Sequence, residues 1–498
     1  KLKWSDPRLN LAPTVVCNFN QDRNTFMRFK KIVFTLMVIF PALSFAQEIP
    51  RDKMVEDFTQ LSSIVNDFYR AKPLVEKRTQ SNISGQLNSL LKACDTIQTK
   101  EEFADLIRMA LNVFNDKHTA FANGSTIKMY LSRFPSVANF GGITLSDTLF
   151  ADYFFNLSNS IMPQMKTGIR SKYINGHYYN VRAFNYQGMS VKAGEEITAI
   201  NHIPISDYVR QNKFKLFNLA WDENNQQWYS ELFWLNKYVI DNEIFILTIG
   251  NKDVTLSCNE KVNLTQEIKQ FSTSPLVIAF DSILYVRMPI MYNGQWFAEQ
   301  IISNYNNDII KIIIDIRGNN GGQDKAWKEV LSSIINEPIT IKSHILMNDN
   351  EAVKKVLPLY NLEAPQVLNT DTILPSDNNI NFKGDIYILQ DSETYSAASS
   401  LTSIAFQHKN IISVGQPSPY ISGRGLTPLI FKLNHSGIVF RMPFTIDLSG
   451  EKANPYMNKV EIELQQSIGE YLTKTTINPY DIDFIKNNDT MINYIKKQ

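Results

Sequence analysis

One serine stands where a nucleophile could act. Ser396 lies in the run Thr394 to Ser399. A predicted loop, Gln390 to Tyr395, joins it to the apolar segment Ile386 to Leu389, which is typical of a buried strand. The run that follows Ser396 predicts a helix from Ser396 to about Phe406. The N-terminus of a helix favours a developing negative charge, and small alanines leave room for a substrate carbonyl. Serine is also a common N-cap, so this segment alone leaves both roles open.

A glycine-rich loop follows a second predicted strand. The apolar run Ile309 to Ile316 precedes the sequence Arg317 to Gly322, and a helical face begins near Ala326. Loops after the C-terminal ends of strands are the usual place for a site in an α/β sheet. Glycine amides could be presented there to a negative charge. The loop lacks both nucleotide-binding patterns, GxxxxGK[ST] and GxGxxG, and an ordinary glycine turn remains its alternative.

A nucleophilic serine needs a base, and the chain offers few. Arg424 cannot lose its proton near neutral pH, and no lysine stands in the glycine-rich segment after Gly415. His118 lies just past a predicted helix that begins at Thr99, where Thr99 and Glu102 form a capping-box pattern. A lone histidine is more often structural, so His118 is a candidate base that needs further context.

Composition excludes several classes of function. The chain has 498 residues, 44% hydrophobic and 20% charged, with a formal net charge of +1. This balance carries no basic surface for nucleic acid, and no polytopic membrane protein has this composition. The sequence contains neither CxxC nor HExxH and its six histidines are scattered, so we expect no metal and no cofactor. Cys94 and Cys258 could form at most one disulfide, and burial as free thiols is the alternative.

The first 46 residues differ from the rest. Met27 to Lys31 is a basic segment, Ile32 to Phe40 is apolar, and Ser44 and Ala46 are small residues before Gln47. These features predict a cleavable signal peptide, Met27 to Ala46, and hence a periplasmic or secreted protein. Residues 1–26 are expected to be a leader without function. Cleavage would leave 452 residues with a net charge of −4 and no stable membrane span.

Hydrophobic patterning divides the remaining chain into three expected domains. Residues 47–133 have helical periodicity and predict an N-terminal helical domain. Between residues 134 and 258 the pattern changes to short strands, and the run Ala193 to Ile205 is similar to the "aGDeIlaING.pi" signature of PDZ domains. Strand, loop and helix patterns repeat over residues 259–498. They predict an α/β catalytic domain, so the fold class is α/β within a multidomain α+β chain.

Together the motifs resemble peptidase family S41. The family's "DgHt" pattern matches Asp116 to Thr119, its "lDlRgNgGG" pattern matches Ile314 to Gly322, and its "TxSAaE" pattern matches Thr394 to Ser399. A single motif of this length is weak evidence, whereas these occur in the family's order with the PDZ-like segment between them. The resemblance implies a crotonase-like or ClpP-like α/β core with a helical cap and a PDZ-like domain.

The resemblance also implies roles for individual residues. Ser396 would be the nucleophile, and the amides of Ala397 and of Gly321 or Gly322 would form the oxyanion hole. The PDZ-like segment, with Gly194 and Ile197, would bind a polypeptide substrate. These are implied roles for a serine peptidase without a cofactor. They carry no information on the oligomeric state.

Departures from the family pattern select a branch. Processing peptidases of the family pair the serine with a lysine in an "FGKG" segment, where this chain has Arg424. The tricorn-like branch uses a histidine, which His118 matches. Ser399 replaces an expected glutamate, and the glutamate that would support His118 is not identified among its candidates, Glu451, Glu461, Glu463 and Glu470. A catalytically inactive relative that binds peptides or an apolar ligand is therefore the alternative function.

Overall fold

A computed structural model describes residues 48–160, 167–216, 218–230, 242–421, 423–449 and 459–498. The predicted signal peptide, 27–46, and the leader before it lie outside these ranges. Within the described ranges, no helix combines the length and the apolar character that a membrane span requires. Cys94 and Cys258 are both buried, and neither is part of a disulfide.

The first part of the described chain is helical. Thr99 caps its fourth helix by accepting from the Glu102 amide, and the Glu102 carboxylate accepts in return from the Thr99 amide, which confirms the capping box. The helices are α1 Arg51–Phe68, α2 Lys72–Thr79, α3 Ile83–Ala93, α4 Lys100–Asn112, α5 Gly124–Arg133, α6 Pro135–Phe140 and α7 Asp147–Ser160, with the short strand β1 Ala120–Phe121 between α4 and α5.

Helices continue beyond the point where the sequence predicts strands. The expected change at Phe134 is wrong for the next segment, because α6 and α7 follow and β structure begins only at Ser171. Pro135 occupies the first helical position of α6, where its missing N–H costs nothing. Asp147 at the start of α7 accepts from the Thr144 amide. Local capping thus overrides the weak alternation in this stretch.

The next part is mostly antiparallel sheet. A six-stranded sheet has the order β11-β10-β6-β3-β2, with β7 paired to β6, beside the smaller sheets β12-β4-β5 and β8-β9. The elements are β2 Ser171–Ile174, β3 His177–Asn180, β4 Phe184–Tyr186, β5 Met189–Val191, β6 Glu196–Ile200, β7 Ile203–Pro204, α8 Ile205–Asn212, β8 Leu219–Asp222, β9 Gln227–Ser230, β10 Ile244–Ile249, β11 Lys252–Ser257 and β12 Asn263–Leu264.

The last part alternates strands and helices, as the sequence predicts. Its elements are β13 Leu276–Phe280, β14 Ile283–Arg287, α9 Gly294–Asn304, β15 Lys311–Asp315, α10 Asp324–Ile334, β16 Ile339–Leu346, α11 Glu351–Lys354, β17 Gln366–Ile373, β18 Asp385–Gln390, α12 Ala397–Ser403, β19 Ile411–Gly415, β20 Leu429–Lys432, β21 Val439–Met442, β22 Ile446–Asp447, β23 Ile462–Glu463, α13 Ile468–Lys474, α14 Ile482–Asn487 and α15 Thr490–Lys496.

The central sheet of this part is covered on both faces. Its order is β13-β14-β15-β18-β19-β23, and all neighbours from β14 to β23 are parallel. One face packs against α9, α10 and α12, and the other packs against the C-terminal helices α14 and α15. Burial on both faces explains the continuous apolar runs of β15 and β18. Parallel strands end at one edge, so the loops after β15 and β18 lie together.

A short strand ties the helical part to the α/β part. In β1, which begins two residues after His118, Ala120 pairs with Arg441 and Phe121 pairs with Phe440 of β21. The same sheet continues from β21 to β20. His118 is thereby held against a segment more than 300 residues later in the chain.

Candidate active site

The candidate nucleophile and base line one cavity of about 970 Å³. Ser396, Ala397, Gly322 and His118 all contribute to its wall. The cavity lies where the helical part meets the loops after β15 and β18. The structure therefore brings together residues that are separated by up to about 280 positions in the chain.

Ser396 has an unusual backbone conformation. Its φ is 57° and its ψ is −127°, directly before the first residue of α12. A positive φ at a residue with a Cβ costs on the order of 1 to 3 kcal/mol and is maintained only where surrounding contacts impose it. The side chain of an ordinary N-cap accepts from a helix amide, but Ser396 makes no such side-chain bond. The plain capping role left open by the sequence is thus absent here.

The glycine loop after β15 packs against Ser396. A Cβ on Gly321 would lie 2.6 Å from Ser396 Cβ and 3.1 Å from the Ala397 nitrogen. The Gly321 amide, however, donates to Asn319 Oδ1 at 2.8 Å, whereas Gly322 lines the cavity. Gly321 thus provides close approach behind the serine, and its amide is engaged elsewhere.

Asn319 organises the loop from a fully buried position. Its Nδ2 donates to the carbonyl of Met288 at 2.8 Å, and its own carbonyl accepts from the Tyr395 amide at 3.0 Å. Asp391 adds a second link, because its Oδ1 accepts from the Gly318 amide at 2.8 Å. The ends of β14, β15 and β18 are therefore fastened to one another around the serine.

The turn that carries His118 is built on Asp116. Asp116 Oδ1 accepts from the His118 amide at 2.7 Å and from the Tyr395 hydroxyl at 2.9 Å. Burial raises the pKa of the Asp116 carboxyl to about 6, although these donated hydrogen bonds oppose the rise. Tyr395 precedes Ser396 in the chain, so this contact links the histidine turn directly to the serine turn.

His118 and Ser396 line the same cavity, but no hydrogen bond joins them. The imidazole packs edge-on against the Tyr395 ring, with ring centroids 4.9 Å apart. Among the described side chains, no hydrogen bond joins the imidazole to Ser396 Oγ. Burial, and secondarily the positive charge of Arg441, lower the pKa of His118 to about 3. The imidazole is therefore neutral at physiological pH and a weak base in this state.

Two other basic residues of the cavity are held by partners. Lys117 Nζ lies 2.7 Å from Glu393 Oε2 and 4.5 Å from the centroid of the Tyr420 ring. Arg424 is buried, and its guanidinium donates to the carbonyls of Ser449 at 2.6 Å and Asp447 at 3.2 Å. Arg424, which stands where the family's lysine is expected, thus stabilises the segment after β22.

Three of the four glutamates considered as supports for His118 are bound elsewhere. Glu461 accepts from the Ser413 amide, Glu463 accepts from Gln465, and Glu470 pairs with Lys474. None of them lines the cavity. Glu451 lies outside the described residues. Within the described part, the position of the missing family glutamate is taken by Ser399, which is fully buried and bonds toward the Thr394 carbonyl.

Gly194 and Ile197 lie apart from this cavity. Gly194 packs against α13, where a Cβ would lie 3.3 Å from Leu472 Cδ1. Ile197 is fully buried on β6, and both edges of β6 are already paired, with β10 and with β3. The strand that carries Ile197 therefore has no open edge for a peptide, because strand addition requires unpaired backbone groups.

Sequence reasoning missed several residues that shape the site. Asn319, Tyr395 and Arg441 carry no role in the motif interpretation, although the first two lie inside its matched segments. Tyr395 also belongs to the buried core of the β-sheet part, so it connects all three parts of the chain. The aspartate of the Asp116 to Thr119 motif was the available signal, because a buried carboxylate beside a histidine needs hydrogen-bond donors.

Comparisons with known proteins agree with this architecture. Residues 282–452 match the sequence model of peptidase family S41. Mature CPAF superposes with a TM-score of 0.50 at 11% identity, covering 89% of this chain and 99% of that one. Mature CPAF complexed with lactacystin gives 0.51 at 10% identity, covering 90% and 98%. A protein from Parabacteroides merdae ATCC 43184 gives 0.42 at 13% identity, covering 86% and 93%.

At these identities the solved structures establish similarity of fold alone. No curated protein sequence matches the chain. The family assignment therefore depends on the segment that contains β14, β15, β18 and the serine turn. Residues 282–452 are thus similar in sequence to peptidase family S41.

Proposed function

We propose that this protein is an exported serine peptidase that hydrolyses peptide bonds of polypeptides with a Ser396–His118 pair. The observation that carries the proposal is the strained backbone of Ser396, which points its turn into the cavity that His118 also lines. Strained residues cluster at sites where geometry serves chemistry. The match of residues 282–452 to the sequence model of peptidase family S41 supports the same reaction class.

In the proposed reaction, His118 acts as the proton carrier in both acylation and deacylation of Ser396. The imidazole takes the proton of Ser396 Oγ as the oxygen bonds to the substrate carbonyl carbon. It then gives that proton to the leaving amine as the carbon–nitrogen bond breaks, which leaves an acyl ester on Ser396. Water then attacks the ester carbonyl carbon while His118 accepts its proton. His118 returns that proton to Ser396 Oγ as the ester carbon–oxygen bond breaks, which releases the acid and the free serine.

The amides of Ala397 and Gly322 are the proposed oxyanion donors. Ala397 begins α12, and the first amides of a helix have no partner within it. Gly322 has a φ of 143° and lines the cavity. Sequence alone leaves Gly321 and Gly322 as equal choices, and the bond from the Gly321 amide to Asn319 favours Gly322. Two such donors stabilise the tetrahedral oxyanion.

The finer architecture is part of the proposal. We infer that the α/β part is a crotonase-like core within a catalytic domain 259–498, with a helical domain 47–133 and a PDZ-like domain 134–258. The parallel sheet with helices between its strands supports the first assignment, and the six-stranded antiparallel sheet with α8 supports the last. The contribution of Tyr395 to the core of the antiparallel part gives that part a direct contact with the serine turn.

Export is proposed from the sequence pattern of residues 27–46. Its test is expression of the full chain in a bacterial host, followed by fractionation and N-terminal sequencing of the accumulated protein. We expect a periplasmic or secreted product that begins at Gln47. A product retained in the cytoplasm with residues 27–46 intact would contradict export and leave the peptidase proposal in place.

The central experiment measures hydrolysis of unfolded proteins and a peptide library by the purified chain. Ser396→Ala and His118→Ala are each expected to lower the rate by about a thousandfold or more. Ser403→Ala and His177→Ala are matched controls, since these side chains lie outside the cavity. Cleavage that survives Ser396→Ala ends the nucleophile assignment. If cleavage survives His118→Ala but not Ser396→Ala, Ser396 remains the assigned nucleophile and the assignment of His118 as the base is wrong.

A covalent probe gives an independent readout. Because mature CPAF has been solved complexed with lactacystin, we expect lactacystin to bind this site. Intact mass measurement would detect an adduct on the unmodified chain and none on Ser396→Ala. An adduct of equal yield on both proteins would contradict a special reactivity of Ser396.

A peptide-binding protein without catalysis is the second candidate function. It is favoured by the missing hydrogen bond between Ser396 and His118 and by Ser399 in place of the family's glutamate. A chain that binds peptides but cleaves none in the central experiment would establish it. A carrier of an apolar ligand fits less well, because Lys117, Arg133 and Arg441 line the cavity.

A further inference from the structure

The charged groups of the active-site cavity are unequally partnered. Lys117 pairs with Glu393 at 2.7 Å, and Asp324 accepts from Trp327 Nε1 at 2.9 Å. In contrast, Arg441 and Arg133 also line the cavity, and no acidic side chain among the described residues forms an ion pair with either. Arg441 is half-buried, whereas Arg133 is exposed. A half-buried arginine without a carboxylate partner is unusual, because desolvation of a cation is costly unless an anion offsets it.

Arg441 faces the catalytic histidine. It lies directly opposite Ala120 in the β1–β21 pair, and directly paired residues of antiparallel strands project from the same face. Ala120 follows His118 by two residues. The positive charge of Arg441 accordingly lowers the pKa of His118, and it acts in the same direction on Tyr130 and Tyr395. These three groups line the same cavity as Arg441.

We propose that Arg441 determines specificity by binding a carboxylate of the polypeptide substrate beside the scissile bond. Guanidinium and carboxylate form paired, charge-assisted hydrogen bonds with defined geometry. The carboxylate belongs either to an acidic side chain or to the free C-terminus of the substrate. This inference rests on the proposed peptidase function and adds the class of substrate to it.

Substrate binding would then also affect the base. The groups that face the His118 turn are Arg441 from β21, Tyr395 from the serine turn, and Asp116 and Lys117 from the turn itself. Of these, Arg441 is the cation that opposes protonation of the imidazole. A bound carboxylate would offset its charge and make His118 a stronger base when substrate is present.

The test separates binding from cleavage. The full chain carrying Ser396→Ala is titrated with fluorescent peptides that share one sequence and differ in one carboxylate. The first has an internal glutamate and an amidated end, the second has glutamine and a free end, and the third has glutamine and an amidated end. Fluorescence anisotropy gives each dissociation constant.

We expect one of the first two peptides to bind at least about tenfold more tightly than the third. The preferred peptide identifies the source of the carboxylate. Adding Arg441→Gln should remove the preference, and Arg441→Lys should restore part of it. Arg210→Gln is the control for net charge, because Arg210 is exposed on α8 and lies outside the cavity.

Several results would overturn the inference. Equal binding of all three peptides would show that the protein has no carboxylate preference. If Arg133→Gln and Arg441→Gln weaken binding of the preferred peptide equally, the preference comes from the overall positive charge of the cavity and not from Arg441. Circular dichroism and the melting temperature show whether Arg441→Gln or Arg441→Lys is misfolded. If only Arg441→Gln is misfolded, the test is whether Arg441→Lys retains part of the carboxylate preference. A carboxylate preference that persists unchanged in both folded variants contradicts the role of Arg441.

Cleavage by the unmodified chain is measured in parallel. If the chain cleaves the neutral amidated peptide as fast as the others, the inference fails and the peptidase function stands. If the Ser396→Ala chain shows the preference that depends on Arg441 while the unmodified chain cleaves nothing, the inference stands and the peptidase function fails.

Discussion

Two glycine turns with similar sequence character have opposite surroundings in this protein. The turn at Gly194 is closed by a helix of the same chain, since a Cβ there would meet Leu472 of α13. The loop at Gly321 packs against Ser396 and Ala397 at the edge of an open cavity. The difference follows from strand direction, because loops after parallel strands gather at one sheet edge, whereas Gly194 precedes an interior antiparallel strand.

The comparison shows what a motif match conveys. The segment Ala193 to Ile205 folds into the turn, strand and turn that its pattern predicts, with positive φ at Gly194 and Asn201. Its residues pack in the core of the antiparallel part and form its turns. The segment Ile314 to Gly322 has an equally simple pattern, yet its neighbours make it part of a site.

The largest effect is expected from Gly321→Ala. The added methyl would overlap Ser396 Cβ and displace the Ala397 amide, so kcat/KM should fall by about a thousandfold, as when an oxyanion donor is lost. Gly318→Ala is the matched control, because it also has a positive φ but open space around its Cβ position. Steady-state kinetics on a peptide substrate measures both variants. If kcat/KM falls equally in both variants, the effect comes from backbone strain and not from contact with Ser396.

The second prediction concerns the pH dependence of stability. Burial raises the pKa of Asp116 to about 6 from its usual 3.8, so the native state retains a proton that the unfolded chain releases between these values. Retention of this proton stabilises the folded protein fully below pH 3.8, and the stabilisation is lost as pH rises through 6. The free energy of unfolding changes by roughly 3 kcal/mol over this range. Asp116→Asn should therefore gain stability relative to the unmodified chain between pH 4 and pH 7.

Urea unfolding at several pH values measures this difference. The effect of His118 on stability has the opposite pH dependence. Because its pKa is lowered in the folded state, the folded protein loses stability as pH falls below about 6.5. This effect is present in both proteins and cancels when they are compared. A constant difference across the range would show that the carboxyl of Asp116 titrates normally.

A smaller loss is expected from Tyr395→Phe. The substitution removes the donor to Asp116 Oδ1 at 2.9 Å, and a buried hydrogen bond to a charged group contributes about 2 kcal/mol. Its kcat should fall more than its KM changes, because Tyr395 positions Ser396 and the His118 ring. Tyr69→Phe is the control, since its hydroxyl reaches the same carboxylate at 3.4 Å from a position away from Ser396. Equal kcat values for the two variants would contradict the positioning role.

The smallest effect tests the closed glycine turn. Gly194 has a φ of 87°, and alanine there should cost about 1 to 2 kcal/mol of unfolding free energy. The Leu472 methyl can move from a Cβ at 3.3 Å, so packing adds little. We expect kcat/KM to stay within about threefold, as for a surface turn remote from the chemistry. A large loss of activity with intact stability would reopen a substrate-binding role for this turn.

Much of the architecture is predictable because it depends on local rules. The capping box at Thr99 starts α4, and the apolar runs that contain β15 and β18 are buried strands followed by helices. The segment 134–160 is an instructive failure, since helix caps and a proline at the first helical position outweigh a weak alternation. Candidate residues at strand ends could be named because parallel sheets gather them.

The details of the site depend on contacts that no local pattern encodes. Arg441 reaches His118 only through the pairing of β1 with β21, and Tyr395 reaches Asp116 only when the helical and α/β parts meet. The positive φ of Ser396 is imposed by neighbours, because the residue itself disfavours it. The choice between the Gly321 and Gly322 amides likewise depends on the side chain of Asn319.

The sequence by itself determined the order of the elements, the positions of the loops at strand ends, and the serine, histidine and glycines available for chemistry. Tertiary structure decided which of these share a cavity, which glycine turn is closed by α13, and which cation faces His118. The physical reason is range. Periodicity and capping act over a few residues, whereas strand pairing and burial bring together groups hundreds of residues apart and set their charges and conformations.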